Sequence, residues 1–394
     1  MKYILLVFDG MSDYPVDALD GKTPLIAAKT PYMDDLAQRG RVGRVVNHPE
    51  GMYAGSDTCN MSILGYDPQK FRCGRGPLEA ASIGIDLNRD DVAFRCNLVT
   101  TDGVNLTNSN AGHIKTEDAR VLVELLHQKL GGRFIQFYPG VSYRHILVWR
   151  GGKDDLKCKE PYNYLNQPVD QNLPEGDGEE KLRKLTWDSH EILDNHIINR
   201  KRRDEGLPAA NMIWLWGQGK PPEFESFFTR YGRTGSVVAA VDLIRGIGRL
   251  CGLKVIDVPG ATGYIDTNYL GKGEYSFRCL EEDDFVFCHV EAADEAGHEM
   301  DWEKKIYAIE QMDEFVLGTI LHRMKRFDDF RLLLLPDHPT PVSTGSHSPD
   351  PVPFLLFDSR EDTGNTIPYD ERALEETRFI IDDGLELLRE LFRK

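Results

Sequence analysis

Apolar residues in this chain fall into short runs closed by an acid or a turn, and into helical stripes between those runs. Tyr3 to Phe8 is an apolar run stopped by Asp9-Gly10, the pattern of a buried strand that ends in a turn. Pro31 to Arg39 (PYMDDLAQR) reads as a helix, with Thr30 as its cap and Gly40 as its stop. In the C-terminal half, Val237 to Leu250 reads as a helix, and Lys254 to Val258 and Phe285 to Val290 as strands. Ile309, Met312, Val316 and Ile320 recur at steps of 3, 4 and 4, the stripe of an amphipathic helix. Arg331 to Leu335 and Pro353 to Phe357 read as two further strands. Such alternation implies an α/β layer with a largely parallel central sheet flanked by helices.

The middle of the chain has a different texture. Ala93 to Val99 and Val141 to Trp149 read as strands around a helix at Glu117 to Leu130. The acidic stretch Pro168 to Glu180 reads as an exposed loop, and a basic helix-like segment, IINRKRRDEG, follows at Ile197 to Gly206. Residues 90–215 are therefore expected to form a smaller inserted α+β domain, and residues 1–89 and 216–394 one discontinuous catalytic domain.

Composition narrows the partners. Lys and Arg number 47 against 64 Asp and Glu, a net charge of −17, in a chain of 394 residues. That balance argues against nucleic acid as the main partner, while a small anionic substrate needs only a few local cations. No run approaches the roughly 20 apolar residues that span a bilayer. The N-terminal apolar run is too short for a signal peptide and meets an acid at Asp9. Seven scattered cysteines without a CxxC pair suit reduced thiols in a cytoplasm.

Three acid or acid–histidine features follow predicted strands: Asp9 after ILLVF, Asp294 with His298 after FVFCHV, and Asp337-His338 with His347 after LLLL. Carboxylates with neutral imidazoles suit Mn²⁺, Zn²⁺ or related ions, and α/β sheets bind ligands beyond the carboxyl ends of their strands. Each feature also has a plain structural reading. Asp9 would serve as a turn residue, Asp294 and His298 as a helical surface pair, and His347 as a loop histidine. Successive strand side chains alternate, so Asp337 and His338 reach one ion only from a turn, which Pro336 and Pro339 favour.

Ser56, in GMYAGSDTCNMSILGYDP, sits in a small-residue turn before a predicted helix. Ser56 or Asp57 would make an ordinary N-cap. A serine hydroxyl beside a divalent ion is equally a nucleophile, because the metal stabilises its alkoxide. There is no GxSxG elbow and no GxxxxGK[ST] loop, so neither a serine esterase nor a P-loop nucleotide site is supported. Cations for an anionic substrate are Arg72 and Arg75, Arg95 in AFRCN, Arg144-His145 in VSYRHILV, and the cluster at Arg200 to Arg203. Arg95 and Arg144 read as arginines inside apolar strands, where surface solvation does not account for them.

Taken together, VFDGMSD, EGMYAGSDTCNMSILGYDP, GRGPLEAASIGI, AFRCNLVT, AGHIKTEDA, PGVSYRHILV, GATGYIDTNY, HVEAADEAGHEMD and LLLLPDHPTPVSTGSHSPDPVPFLLF resemble the archaeal-type cofactor-independent phosphoglycerate mutases of the alkaline phosphatase superfamily. The resemblance spans nearly the whole chain. It implies an alkaline phosphatase-like sheet with an inserted domain closing over the substrate. It also implies two divalent ions, commonly Mn²⁺, with Mg²⁺, Zn²⁺ or Co²⁺ as alternatives. Asp294, His298 and His347 would hold one ion, and Asp9, Ser56, Asp337 and His338 the other. Ser56 would take the phosphate of 3-phosphoglycerate and return it to the other hydroxyl of glycerate, with no 2,3-bisphosphoglycerate. Arg95, Arg144 and His145 would contact the small phosphorylated substrate. A homoserine kinase-like phosphotransferase, a phosphatase or sulfatase using the same metals, and a non-catalytic metal-binding protein are the alternatives.

Overall fold

Six of the seven residues in strand Lys2–Phe8 are buried, which is what an apolar run without alternation requires when both faces of a sheet are covered. The strand lies between two parallel neighbours, Phe285–Val290 and Phe330–Leu335. The computed structural model describes residues 1–71 and 73–393, so Arg72 lies outside the described residues. It divides into two compact units, Met1–Phe71 with Phe224–Lys394, and Arg72–Glu223.

The first unit is built on an eight-stranded sheet in the order Lys254–Ile256, Gly235–Val238, Phe285–Val290, Lys2–Phe8, Phe330–Leu335, Val352–Asp358, Arg41–Val45, Ile380–Ile381. Every pairing is parallel except those of Val352–Asp358, which runs antiparallel to both neighbours. The reversal has a simple cause. A parallel return needs a crossover, normally helical, whereas the proline-rich chain between Leu335 and Val352 contains no helix and re-enters the sheet from the end it left.

Ile309, Met312, Val316 and Ile320 are fully buried, along helix Trp302–Gln311, the π-helical Met312–Leu317 and helix Gly318–Met324. Helix Pro31–Arg39 has the expected limits but not the expected cap. The Thr30 side chain makes no capping bond, and the carboxylate of buried Asp313 accepts from the N–H groups of Tyr32 (3.1 Å) and Met33 (2.8 Å) instead. Gly40 ends this helix where a Cβ would stand 2.8 Å from the carbonyl oxygens of both Leu36 and Leu356. The helix expected from Val237 begins only at Asp242, because buried Val237 and Val238 belong to strand Gly235–Val238.

The second unit carries an antiparallel sheet in which Val92–Thr101 lies between Arg144–Trp149 and Met212–Gly219. One face packs Phe94, Cys96 and Leu98 against Leu122, Leu126, Leu182 and Leu185 of helices Thr116–Leu130 and Glu179–Leu193. Its limits extend past the 90–215 of the sequence reading. Helix Arg75–Ser82 packs on the sheet through Gly76, where a Cβ would stand 2.4 Å from the carbonyl oxygen of Ala93, and strand Met212–Gly219 runs beyond residue 215. The stretch Pro168 to Glu180 is not a bare loop. It holds a turn of 3₁₀ helix at Val169–Gln171, buries Val169 and Leu173, and starts helix Glu179–Leu193. Among the described residues no helix is long and apolar enough to cross a membrane.

Candidate metal centre

Three adjacent parallel strands end at one level, with Phe8 opposite Val290 and Val7 opposite Leu335. The residues that follow therefore meet. Asp9 comes directly from the central strand. Gly10 turns away at φ +62°, where a Cβ would stand 2.6 Å from the Asp294 Cα, so only glycine fits. Asp294 and His298 share a face of helix Ala292–His298, with His298 Nε2 3.2 Å from Asp294 Oδ2. Asp337 and His338 occupy the bend after strand Phe330–Leu335, and His347 returns along the same loop to lie 3.4 Å from Asp294 Oδ1. Ser56 heads helix Ser56–Ile63. Gly55 takes the cap position, and the Ser56 hydroxyl lies 3.2 Å from His338 Nε2 instead of capping.

The hydrogen bonds fix which ring nitrogens face inward. His298 Nδ1 lies 2.9 Å from the Gly345 carbonyl, and His347 Nδ1 3.1 Å from that of Ala54. A carbonyl only accepts, so both Nδ1 atoms carry protons and present their Nε2 atoms, 3.1 Å apart, to each other and to Asp294. Thr340 Oγ1 donates to Asp294 Oδ1 and lies 3.3 Å from His338 Nδ1, so it accepts that proton and leaves His338 Nε2 facing Asp9 and Asp337, 3.6 Å from each. Asp337 is held by the N–H groups of Gly10 and His338 on Oδ1 and by Asn60 Nδ2 on Oδ2. Asn60 also donates to the Ser56 carbonyl at 2.8 Å, which ties the serine to this carboxylate.

Asp9 is different: it is fully buried and neither of its carboxylate oxygens has a hydrogen-bond donor. Burial, followed by the neighbouring Asp337 and Asp294, pushes its carboxyl well above the ordinary range. Burial acts the same way on Asp294, but the hydrogen bonds of His298 and His347 outweigh it and hold that carboxyl well below the ordinary range. The bond to Asp294 in turn lifts His298 to about 9, so a proton at Nε2 and a divalent ion compete for one lone pair. Buried carboxylates side by side, orphaned oxygens and converging ring nitrogens fit divalent cations. Among the described residues, donor atoms lie within 4.8 Å of one another in three sets: Asp294, His298 and His347; Asp9, Asp294 and His338; and Asp9, His289 and Asp337. His289 escaped the sequence reading because it is embedded in the apolar strand Phe285–Val290. A lone imidazole in such a strand was the available signal.

Among the described residues, the candidate cations of the second unit do not form one cluster. Arg95 is buried, bound to Glu79 and stacked 5.4 Å from the Trp216 ring, with Arg75 3.3 Å from the same Glu79 oxygen. Arg144 is not inside its strand but is its first residue, and it is exposed. Arg144 pairs with Asn97 and so shares the face of Arg95. His145 pairs with Cys96, so the pleat assigns it to the opposite face. Its Nδ1 accepts the Gly140 N–H, its Nε2 has no partner, and burial, then Arg95, pulls it down to about 3. In the basic segment, Arg202 is buried and donates to the carbonyls of Pro208 and Ala111, and Arg203 binds Asp194.

Residues 37–199 match the family model for 2,3-bisphosphoglycerate-independent phosphoglycerate mutase. A probable mutase of that description from Geobacter sulfurreducens is 48% identical over 98% of each chain. Another, from Methanothermobacter thermautotrophicus, is 49% identical over 95% of this chain and 93% of its own. A solved Pyrococcus horikoshii protein superposes with a TM-score of 0.85 at 30% identity, covering 99% of this chain and 97% of its own. The cofactor-independent phosphoglycerate mutase of Thermoplasma acidophilum gives 0.69 at 27%, covering 100% and 99%. With near-full-length identity of this order, the chain belongs to the 2,3-bisphosphoglycerate-independent phosphoglycerate mutase family.

Proposed function

We propose that this protein interconverts 3-phosphoglycerate and 2-phosphoglycerate without 2,3-bisphosphoglycerate, with Ser56 as the phosphate carrier. The observation that carries the reading is the Ser56 hydroxyl, set 3.2 Å from His338 Nε2 within the carboxylate–imidazole cluster rather than spent on a helix cap. Asp294, His298 and His347 would hold one divalent ion, and Asp9, Ser56, Asp337 and His338 a second, Mn²⁺ being the ion proposed. Bound there, such ions stabilise negative charge on the serine oxygen and on the phosphoryl oxygens.

The chain's own groups supply the rest. Ser56 Oγ bonds to phosphorus as the bond to the 3-oxygen of glycerate breaks, and the serine proton ends on that oxygen. Glycerate turns, its 2-oxygen takes the phosphoryl group from phosphoserine, and the 2-hydroxyl proton passes to Ser56 Oγ while the 3-hydroxyl keeps its own. Asn60, through its bonds to the Ser56 carbonyl and Asp337, keeps nucleophile and ligand in register. Arg144 and Arg95 are proposed contacts for the anionic substrate, Arg144 being the exposed member, while buried His145 on the opposite face is not. A cytoplasmic setting is supported by the seven cysteines without a CxxC pair.

Purified protein with Mn²⁺ and 3-phosphoglycerate, free of bisphosphoglycerate, tests this, with 2-phosphoglycerate and free phosphate both followed. The expected product is 2-phosphoglycerate, and Ser56→Ala should abolish it. Phosphate alone would make the protein a hydrolase. Full activity in Ser56→Ala would remove the serine from the mechanism.

A further inference from the structure

His289 has no role in the two-ion scheme above, yet its surroundings are those of a ligand. It lies opposite Val7 in the sheet and is 1% exposed, and neither ring nitrogen has a hydrogen-bond partner. Buried imidazoles are normally satisfied, because an unpaired polar atom away from water is costly. His289 Nε2 lies 3.3 Å from Asp9 Oδ2, a distance that suits a hydrogen bond, but the geometry does not make one. Asp9 has no donor either. Two ligands each about 2.1 Å from one ion, at roughly a right angle, stand about 3 Å apart. Asp337 completes the set within the same 4.8 Å limit.

We propose that His289 Nε2 is a further metal ligand, coordinating a divalent ion held between Asp9 and Asp337. This rests on the metal-dependent reading of the proposed function and adds to it a ligand from inside the sheet. The orphaned Asp9 Oδ2 and His289 Nε2 then satisfy one another through the ion. A site with this imidazole is also less suited to Mg²⁺, which prefers oxygen ligands and water, than to Mn²⁺, Co²⁺ or Zn²⁺.

Mn²⁺ titration of the metal-stripped protein, followed by electron paramagnetic resonance, is the test, in wild type and His289→Gln. The expected result is a 10- to 100-fold weakening of one binding event in the variant, with other Mn²⁺ binding unchanged. Identical binding curves for the two proteins, with the variant folded by circular dichroism, would overturn His289 as a ligand while leaving the metal-dependent reading intact. Wild type that binds no Mn²⁺ would overturn both. A second measurement leaves the sequence unaltered: on Zn²⁺ addition to ¹⁵N-histidine-labelled wild type, the His289 Nε2 resonance should move as a coordinated nitrogen does. A resonance that stays in place at saturating Zn²⁺ would equally refute the proposal.

Discussion

Lys305 Nζ lies 2.6 Å from Asp13 Oδ2, and neither side chain is exposed to solvent. The ammonium also donates to the carbonyls of Ser12 (3.2 Å) and Thr340 (2.8 Å), so one cation joins the loop after strand Lys2–Phe8 to the loop carrying His338 and His347. Breaking a buried pair leaves the other charge uncompensated, at a typical cost of ~3–5 kcal/mol. Lys305→Met should lower unfolding stability by about that amount in urea titrations with EDTA present. Adding Asp13→Asn should recover part of the loss, because the stranded charge disappears. Equal stability of Lys305→Met and wild type would show that the pair braces nothing.

Thr340 is the link between the two halves of the candidate site, donating to Asp294 and lying 3.3 Å from His338 Nδ1. Without the hydroxyl, His338 is free to change tautomer and Asp294 loses a donor. Thr340→Val, nearly the same shape, should weaken Mn²⁺ binding about 10- to 100-fold, the usual range for residues that orient metal ligands. Its stability in EDTA should fall by ~1–3 kcal/mol, the cost of leaving a buried polar group without its partner. Calorimetric titration and urea melts separate the two effects, and unaltered affinity would assign Thr340 to packing alone.

Asp313 gives a pH dependence away from the metal cluster. Burial raises its carboxyl to about 6 despite the N–H donors of Met33 and Tyr32. The folded state thus holds this proton more tightly than the unfolded chain, whose aspartate titrates near 3.9. The group's contribution to stability is complete below pH ~4 and declines as pH rises through ~6, by about 2–3 kcal/mol at most. Asp313→Asn cannot titrate, so the stability gap between variant and wild type should move in the variant's favour from pH 4 to 6.5. Parallel pH profiles would refute the assignment.

Much of this site was legible in the sequence because the sheet is periodic and buried. Apolar runs ending in Asp9, in the segment before Asp294 and in Pro336 placed three groups at strand ends, and parallel register brought them to one level. Other features depended on tertiary partners. The capping of helix Pro31–Arg39 by Asp313 joins residues about 280 positions apart, which no local rule anticipates. Gly10 and Asp294 approach through space alone. His289 was hidden because a half-polar residue in an apolar strand is normally read with its neighbours. In the second unit, AFRCN and VSYRHILV revealed charged residues near strands, but only the pairing register shows that His145 is assigned to the other face from Arg95 and Arg144.

That register separates the roles of the two arginines. Arg95 is buried against Glu79, itself 6% exposed, and its Nε has no partner. Removing its charge leaves buried Glu79 paired with the exposed Arg75, so Arg95→Met should cost ~1–3 kcal/mol of stability whatever its effect on substrate. Arg144 is exposed, touches the Tyr143 ring at 5.8 Å, and has no acidic partner within salt-bridge distance among the described residues. Arg144→Gln should therefore change stability by no more than ~0.5 kcal/mol, the usual range for surface substitutions. If the exposed guanidinium binds the charged substrate, the same variant should raise KM for 3-phosphoglycerate tenfold or more, the loss of a charge-assisted hydrogen bond of ~1.5–3 kcal/mol. Steady-state kinetics beside urea melts decides it. An Arg144→Gln enzyme with unchanged KM would leave substrate recognition to other groups, and one that melts early would make Arg144 a structural residue.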